Sequence, residues 1–314
     1  MITVVYACDD MYARQTLISM VSLIKYNPGA KVYLVSDGLS DENRKQIIGV
    51  MERYGCAVHF LEIDDLLAPG LKLDDRDRHP RTIYAKLFLN NLDGEKRILY
   101  LDSDVIVRGD LSALFSRDMK EELVAGVLMP YSRKVKENVN APAGQPYICD
   151  GVVLFNLDLW KRSGKTEESL QYIESYQGNP PMLSEGTLNC ICAGKIGVLE
   201  PKYNLMPSML VYSLEEIRKL FRADYYYNDQ AVMQEARKNP VIIHFMNELY
   251  NRPWCNPCEH PFRYSYLAIE KEIFGSNQIT DSPLPRHTRI TVLLRKYLPF
   301  ALFAKLYHIK NKEY

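Results

Sequence analysis

Hydrophobic residues at the start of the chain alternate between short continuous runs and helical spacing. Three runs are apolar and β-rich and predict buried strands: residues 2–7, 31–36 and 57–63. Residues 12–26 and 40–54 instead place apolar side chains three or four positions apart and predict helices, the second with Ser40 as its N-cap. Strands and helices that alternate in this way predict a parallel α/β sheet with right-handed crossovers.

The same patterns continue to about residue 250. Helical spacing returns at residues 81–89, 184–193 and 229–236. Further apolar runs predict strands at residues 97–101, 123–129, 151–157 and 241–245. We therefore expect one large α/β domain, in which ligands bind at the carboxyl ends of the strands.

Two carboxylates, Asp102 and Asp104, follow the apolar strand at residues 97–101. In an extended chain they project to the same side, with Ser103 turned away, so a cation is expected between them. His244, near the end of the predicted strand at residues 241–245, can add an imidazole. This ligand set predicts a site for Mn²⁺, with Mg²⁺ as the alternative ion. A solvated surface turn is the other explanation of the Asp pair.

Composition narrows the classes of function. The chain has 314 residues, of which 47% are hydrophobic, so a packed core is expected. Its formal net charge is zero, which gives no support for nucleic acid as a partner. The N-terminus has the pattern of a strand, and the seven cysteines are odd in number and scattered, so we expect a cytoplasmic protein.

An apolar strand followed by D-x-D is also found in haloacid-dehalogenase-like phosphatases, and LYLDSDVIV resembles their nucleophile motif. In that class the motif usually lies on the first strand of the domain. Here about a hundred residues of alternating strands and helices precede it, and no acidic pair of the GDxxxD kind follows it. This phosphatase hypothesis is the alternative from a different class.

An ordered set of segments resembles glycosyltransferase family 8, the retaining transferases with a GT-A fold. The segments are VVYACDDMYARQTLISMVSLI, RTIYAKLFLNNL, RILYLDSDVIVRGDLSALF, YICDGVVLFNLDLW, LSEGTLNCI and IIHFMNELYNRPW. The resemblance implies a GT-A domain over residues 1–255 and a C-terminal loop and helical extension over residues 256–314. It also implies that Asp102, Asp104 and His244 bind manganese.

The resemblance further implies which residues bind the UDP-sugar donor. They are Ala7, Asp9, Tyr12, Lys86, Asp102, Ser103, Asn247 and Arg252. Lys86 stands where the family has an arginine, and Arg252 where it has a lysine that holds the diphosphate. Tyr12 takes the place of an aromatic ring that stacks on the base.

The sugar side departs from the family pattern. Glu185 stands where a glutamine is usual, Ser184 replaces an aspartate, and Asp150 replaces an alanine. We therefore take Glu185 and Asp150 as the candidate catalytic residues. Either could be a carboxylate nucleophile, or the acceptor could attack from the leaving-group face with Glu185 stabilising charge on the sugar; both routes stay open.

The expected reaction is transfer of a hexose from UDP-galactose or UDP-glucose to a hydroxyl of a glycan or lipid-linked acceptor in cell-surface polysaccharide synthesis. A nucleotide-sugar-binding protein without transferase activity is a non-enzymatic alternative. The sequence departs from the family on the side of the site that would contact the sugar and the acceptor. The identities of the donor sugar and of the acceptor therefore depend on those residues.

The tail from residue 286 is basic and aromatic, and Pro299 is expected to divide it into two helices. Its cations are Arg286, Arg289, Arg295, Lys296, Lys305, Lys310 and Lys312, against Glu313 alone. The charge pattern predicts peripheral contact with the inner face of an anionic membrane. A helical cap packed on the domain is the alternative.

Overall fold

A computed structural model of the protein describes residues 1–67, 71, 73, 80–92 and 94–311. The strands are β1 (Thr3–Asp9), β2 (Lys31–Asp37), β3 (Val58–Glu62), β4 (Arg97–Leu101), β5 (Val105–Val107), β6 (Val124–Leu128), β7 (Ile148–Asn156), β8 (Ile196–Val198), β9 (Ile242–His244), β10 (Cys255–Asn256) and β11 (Thr280–Asp281).

Helices connect and flank these strands. The α-helices are α1 (Ala13–Tyr26), α2 (Asp41–Arg53), α3 (Ile63–Leu66), α4 (Ser112–Phe115), α5 (Arg133–Asn138), α6 (Leu157–Arg162), α7 (Lys165–Ser175), α8 (Leu183–Ile191), α9 (Pro207–Val211), α10 (Leu214–Phe221), α11 (Gln230–Lys238), α12 (Arg263–Phe274), α13 (Arg286–Tyr297) and α14 (Phe300–Lys310). Shorter 3-10 helices occupy Asp10–Tyr12, Arg81–Leu87, Leu89–Asn91 and Pro201–Tyr203.

A mixed, mostly parallel sheet organises the fold. Its strand order is β3-β2-β1-β4-β7-β6-β8, and β7 alone pairs antiparallel to its neighbours β4 and β6. Because β7 runs the opposite way, its first residues lie beside the carboxyl end of β4. The Asp102 backbone N–H donates to the Gly151 carbonyl at 2.8 Å across this junction.

A small second sheet brings a later part of the chain to the same edge. Strand β9 pairs antiparallel with β5, with His244 opposite Val105. The Phe245 backbone N–H donates to the Asp104 carbonyl at 2.8 Å. The imidazole is thus placed next to the Asp pair by backbone pairing, and not by a flexible loop.

Most predicted elements are confirmed to within a few residues. Strand β4 has the predicted bounds, and the Ser40 hydroxyl caps α2 by accepting from the Asn43 backbone N–H at 3.3 Å. The helix predicted at residues 81–89 is wrong in type, because Arg81–Leu87 forms a 3-10 helix whose side chains are mostly buried. Helix α12 was not predicted, although its residues have helical spacing.

The C-terminal extension packs on the sheet domain. Helix α12 lies on α1, where the Arg14 guanidinium pairs with the buried Glu270 carboxylate at 2.8 Å. The domain boundary at residue 255 stays a prediction. None of the described helices is both long and apolar enough to cross a membrane.

Pro299 divides the tail into α13 and α14, as predicted. Phe303 is buried and stacks with Tyr212 at 6.4 Å between ring centroids, which anchors α14. Lys312 and Glu313, which entered the charge pattern of the tail, lie outside the described residues.

The core of the sheet gives a prediction about stability. Leu99 on β4 is fully buried and lies between Val4 of β1 and Leu154 of β7. We expect Leu99→Ala to lower the free energy of unfolding by about 2–5 kcal/mol, because it opens a cavity between paired strands. Chemical denaturation measures this change. Leu302→Ala on the exposed side of α14 is the control and should change stability little; equal effects of both variants would contradict the assignment of the core.

Candidate active site

A cleft opens at the carboxyl edge of the central sheet, beside β1 and β4. Residues that line it include Ala7, Asp9, Tyr12, Thr82, Tyr100, Asp102, Ser103, Asp104 and Arg252. Lys86 and His244 lie behind this lining, each within hydrogen-bond distance of one carboxylate of the Asp pair. The structure therefore brings together most of the residues predicted to bind the nucleotide and the ion.

Asp102, Asp104 and His244 form a cluster whose ligand atoms all lie within 4.8 Å of one another. Asp104 and His244 are buried, and the His244 Nε2 lies 3.1 Å from the Asp104 Oδ1. The Asp102 side chain retains 29% of its exposure and faces the cleft. The predicted convergence of two strand ends on one point is present in the structure.

Asn204 orients the imidazole from behind. Its Oδ1 lies 3.0 Å from the His244 Nδ1, at a buried position after the 3-10 helix Pro201–Tyr203. With its Nδ1 proton donated to the amide oxygen, His244 would present Nε2 to an ion once the Nε2 proton has left. Burial lowers the pKa of His244, but the Asp104 carboxylate outweighs it and the net pKa is raised.

Lys86 connects the Asp pair to Asp150 on β7. Its buried Nζ lies 3.3 Å from the Asp102 Oδ1, 2.9 Å from the Asp150 Oδ2 and 3.0 Å from the Asp150 carbonyl. Burial alone would lower the pKa of Lys86, but the two carboxylates raise it well above its usual range. Lys86 is therefore a charged residue of the site and not a solvated helix charge.

Arg252 closes the opposite side. Its guanidinium lies 3.2 Å from the Asp104 Oδ2 and donates to the Tyr12 hydroxyl. It also lies over the faces of Tyr12 and Trp254, with 5.6 Å to each ring centroid. These contacts hold the Arg252 guanidinium and the Tyr12 ring together in one wall of the cleft.

A divalent cation fits this donor set. Burial, together with the charges of Asp150 and Asp104, raises the pKa of Asp102 even though Lys86 opposes the shift. Asp102, Asp104 and Asp150 are matched by Lys86, Arg252 and a protonated His244, and a divalent cation bound to His244 and the Asp pair would replace the imidazole proton. Two carboxylate oxygens and one imidazole form a donor set that suits a divalent metal ion.

Gly151 leaves the space that this cluster needs. A Cβ atom at residue 151 would lie 2.4 Å from the His244 Cε1 and 2.7 Å from the Asp102 Oδ2. Any other side chain would therefore displace two of the three ligands. Neither Gly151 nor Asn204 was singled out from the sequence, since their roles depend on strand pairing and burial.

Hydrogen bonds fix the part of the cleft that is formed by Asp9, Tyr12 and Ser103. The Asp9 Oδ1 caps the turn by accepting from the Tyr12 backbone N–H at 3.0 Å. The Ser103 hydroxyl donates to the Ala7 carbonyl at 3.2 Å and accepts from the Thr16 hydroxyl at 2.7 Å. Ser103 is thus turned inward, as predicted, and it ties β1 to the turn that carries the Asp pair.

Two further carboxyl groups, Asp150 and Glu185, lie on the other side of Lys86. The Asp150 Oδ2 accepts from the Ser184 hydroxyl at 2.6 Å, and ligand atoms of Cys149, Asp150 and Glu185 lie within 4.8 Å of one another. Both predicted catalytic residues therefore lie side by side.

Asn247 differs from the other predicted donor-binding residues. It is exposed, and it is not among the described residues that line the cleft. Its predicted contact with the nucleotide stays a prediction.

Two curated proteins are similar to most of this chain. General stress protein A of Bacillus subtilis is 22% identical over 272 residues, which cover 84% of this chain and 91% of that protein. A lipopolysaccharide 1,2-glucosyltransferase of Escherichia coli is 23% identical over 300 residues, which cover 85% of this chain and 86% of that protein.

Solved structures share the fold. The galactosyltransferase LgtC, in complex with donor and acceptor sugar analogues, superimposes with a TM-score of 0.71 at 20% identity and covers 92% of this chain and 99% of its own. The glycosyltransferase GlyE of Streptococcus pneumoniae gives a TM-score of 0.60 at 20% identity and covers 98% of this chain and 63% of its own. The architecture is thus the GT-A-like fold of LgtC.

The sequence profile described as "Glycosyl transferase family 8" matches residues 3–258, which include every strand of the seven-stranded sheet and the whole cluster around Asp102. The chain belongs to glycosyltransferase family 8.

Proposed function

We propose that this glycosyltransferase moves galactose or glucose from a UDP-sugar to a hydroxyl group of a glycan or lipid-linked acceptor, with retention at the anomeric carbon. One observation carries the proposal: Asp102, Asp104 and His244 converge beside a cleft that also holds Tyr12 and Arg252. The phosphatase hypothesis has no support, because the Asp pair follows β4 in a family 8 domain.

UDP fits the cleft between β1 and the turn that carries the Asp pair. The Tyr12 ring offers a stacking surface for the base, and the Asp9 carboxylate can accept a hydrogen bond from the uracil or the ribose. The diphosphate would then lie between Lys86 and Arg252. Manganese on Asp102, Asp104 and His244 would supply a divalent charge for the departing diphosphate.

The transfer breaks the bond between the anomeric carbon and the UDP oxygen and forms one to the acceptor oxygen. The acceptor proton passes to an oxygen of the departing β-phosphate, and UDP leaves. Lys86 and Arg252 stabilise the negative charge that develops on UDP, because both cations are held in place before the reaction. Asp150 and Glu185 face the sugar.

The Asp pair gives the first test. We expect Asp102→Asn and Asp104→Asn to lower transferase activity on the order of 100- to 1,000-fold, since each variant removes charge that binds the ion. Release of UDP from UDP-galactose and UDP-glucose with manganese measures it. Asp118→Asn, an exposed aspartate that caps the Lys120 backbone N–H, is the control and should keep wild-type activity.

Full metal-dependent activity in either variant would contradict the assignment of the ion site. The same assay separates an enzyme from a binding protein, because a protein that only binds nucleotide sugars would release no UDP.

Gly151 gives a second test. We expect Gly151→Ala to weaken manganese binding by about 10- to 100-fold, because the added methyl group would overlap His244 and Asp102. Calorimetry with manganese and UDP measures the affinity. Gly49→Ala on α2 adds a methyl group with nothing within 4 Å and is the matched control. Equal affinity of both variants would show that residue 151 does not border the ion.

The outward face of the tail supports a membrane location. Exposed cations and exposed apolar residues alternate on one side of each helix: Arg286, Arg289, Ile290, Leu293, Lys296 and Tyr297 on α13, and Leu302, Lys305, Leu306, Ile309 and Lys310 on α14. Residues 286–311 contain no acidic side chain. We propose that this surface, the tail face, binds the anionic inner leaflet of the cell membrane, where lipid-linked acceptors lie.

Neutralising the tail face tests this location without exposing the core, because Phe303 stays in place. We expect the triple variant Arg289→Gln, Lys296→Gln, Lys305→Gln to bind phosphatidylglycerol-containing vesicles on the order of 100-fold more weakly, at ~1 kcal/mol per charge. Vesicle co-sedimentation measures the binding.

A matched control neutralises three exposed cations on other helices: Lys45→Gln, Arg53→Gln and Lys238→Gln. This variant should bind the vesicles like the wild type. Equal loss in both triple variants would mean that net charge, and not the tail face, determines binding.

A further inference from the structure

Asp150 and Glu185 lie close together but have different surroundings. Asp150 is on β7 and Glu185 is in the first turn of α8, and their oxygens belong to one cluster within 4.8 Å. Two carboxylates at this distance in a largely buried pocket repel each other, so a negative charge on one disfavours a negative charge on the other.

Asp150 has the partners of an ionised carboxylate. Its Oδ2 accepts from the Lys86 ammonium at 2.9 Å and from the Ser184 hydroxyl at 2.6 Å. Lys86 is itself 2% exposed, so solvent screens the pair little. The negative charge of the pocket is therefore held on Asp150.

Glu185 is hydrogen-bonded to the Tyr131 side chain and to the Asp150 backbone, which lowers its pKa, but it lacks the ammonium partner that Asp150 has. Within the part of the chain that the structure describes, it forms no ion pair, and Lys86 lies closer to Asp150 and Asp102. The groups that face it are Asp150 and Cys149 from β7, Tyr147 immediately before β7, Tyr131 after β6, and the more distant Lys86. Burial, followed by the charge of Asp150, raises the pKa of Glu185 to about 8.

We propose that Glu185 contacts the donor sugar as a protonated carboxylic acid beside an ionised Asp150, so that the pair offers one hydrogen-bond donor and one acceptor to neighbouring sugar hydroxyls. This inference rests on the proposed function. It also bears on the chemistry, since a protonated carboxyl group is a poor nucleophile. Glu185 then positions the sugar, and the acceptor attacks from the leaving-group face.

Because the pKa of Glu185 is raised, the binding of the UDP-sugar should weaken as the pH rises. Below about pH 8 Glu185 keeps its proton and the donor-sugar contact is intact. As the pH rises above this value, the hydrogen-bond donor is lost and a second negative charge appears beside Asp150. The KM for the UDP-sugar should then rise up to about tenfold per pH unit, whereas inhibition by UDP, which lacks the sugar, should not follow this titration.

The test compares the wild type with Glu185→Gln, whose amide keeps a donor and cannot ionise. KM is measured from UDP release with UDP-glucose and UDP-galactose in manganese, from about pH 6.5 to about pH 9.5. We expect the rise in KM at high pH in the wild type and its absence in Glu185→Gln. Asp150→Asn should move the rise to lower pH, because a neighbouring negative charge is removed.

Glu248 supplies the control. Burial raises the pKa of this carboxyl group to about 7, while a hydrogen bond from the Ser208 backbone and the charge of His244 lower it, and Asp150 is not among the groups that act on it. Glu248→Gln should keep the rise in KM of the wild type. If this variant removes the rise instead, the titrating group is Glu248 and the proposal is wrong.

Two other results would overturn the inference: a KM that does not depend on pH in the wild type, or an unchanged rise in Glu185→Gln. Failure of the proposed function looks different, because no UDP-sugar would then be turned over at any pH. Thermal unfolding of each variant at both ends of the pH range verifies that the protein compared is folded.

Discussion

The concentration of negative charge at one edge of a buried sheet is the constraint on which this structure depends. Asp102, Asp104 and Asp150 meet there because β7 runs antiparallel beside β4, and charges out of water are costly unless they are paired. Lys86 and Arg252 neutralise part of this charge from opposite sides. The arrangement leaves a site that suits a divalent ion and the proposed diphosphate, formed where β4, β7 and β9 meet.

The cleft has two halves that differ in how they handle charge. Beside Asp102 and Asp104, Lys86, Arg252 and the imidazole of His244 are held in fixed positions, so the proposed nucleotide would enter a prepared electrostatic field. On the other side of Lys86, Asp150 forms an ion pair with Lys86. Next to it lies Glu185, which has no ion-pair partner among the described residues. Donor and acceptor specificity in this chain is expected to depend on the second half.

The sequence predicted the features that depend on local pattern. The apolar strand before Asp102 and the late strand with His244 were sufficient to predict a shared ion site, because the carboxyl ends of strands meet at one edge. Asn204 and Gly151 could not be found in this way, since one acts through a buried hydrogen bond and the other through the space it leaves. Helical periodicity at residues 81–87 also did not distinguish the 3-10 helix that forms there from an α-helix.

The most direct measurement of the central claim is the position of the ion itself. A crystal of the full chain grown with manganese and UDP, with diffraction data collected at the manganese absorption edge, locates the metal independently of activity. The account predicts one anomalous peak coordinated by Asp102, Asp104 and His244 and in contact with the diphosphate. A peak among Cys149, Asp150 and Glu185, or UDP bound with no metal at the Asp pair, would contradict it.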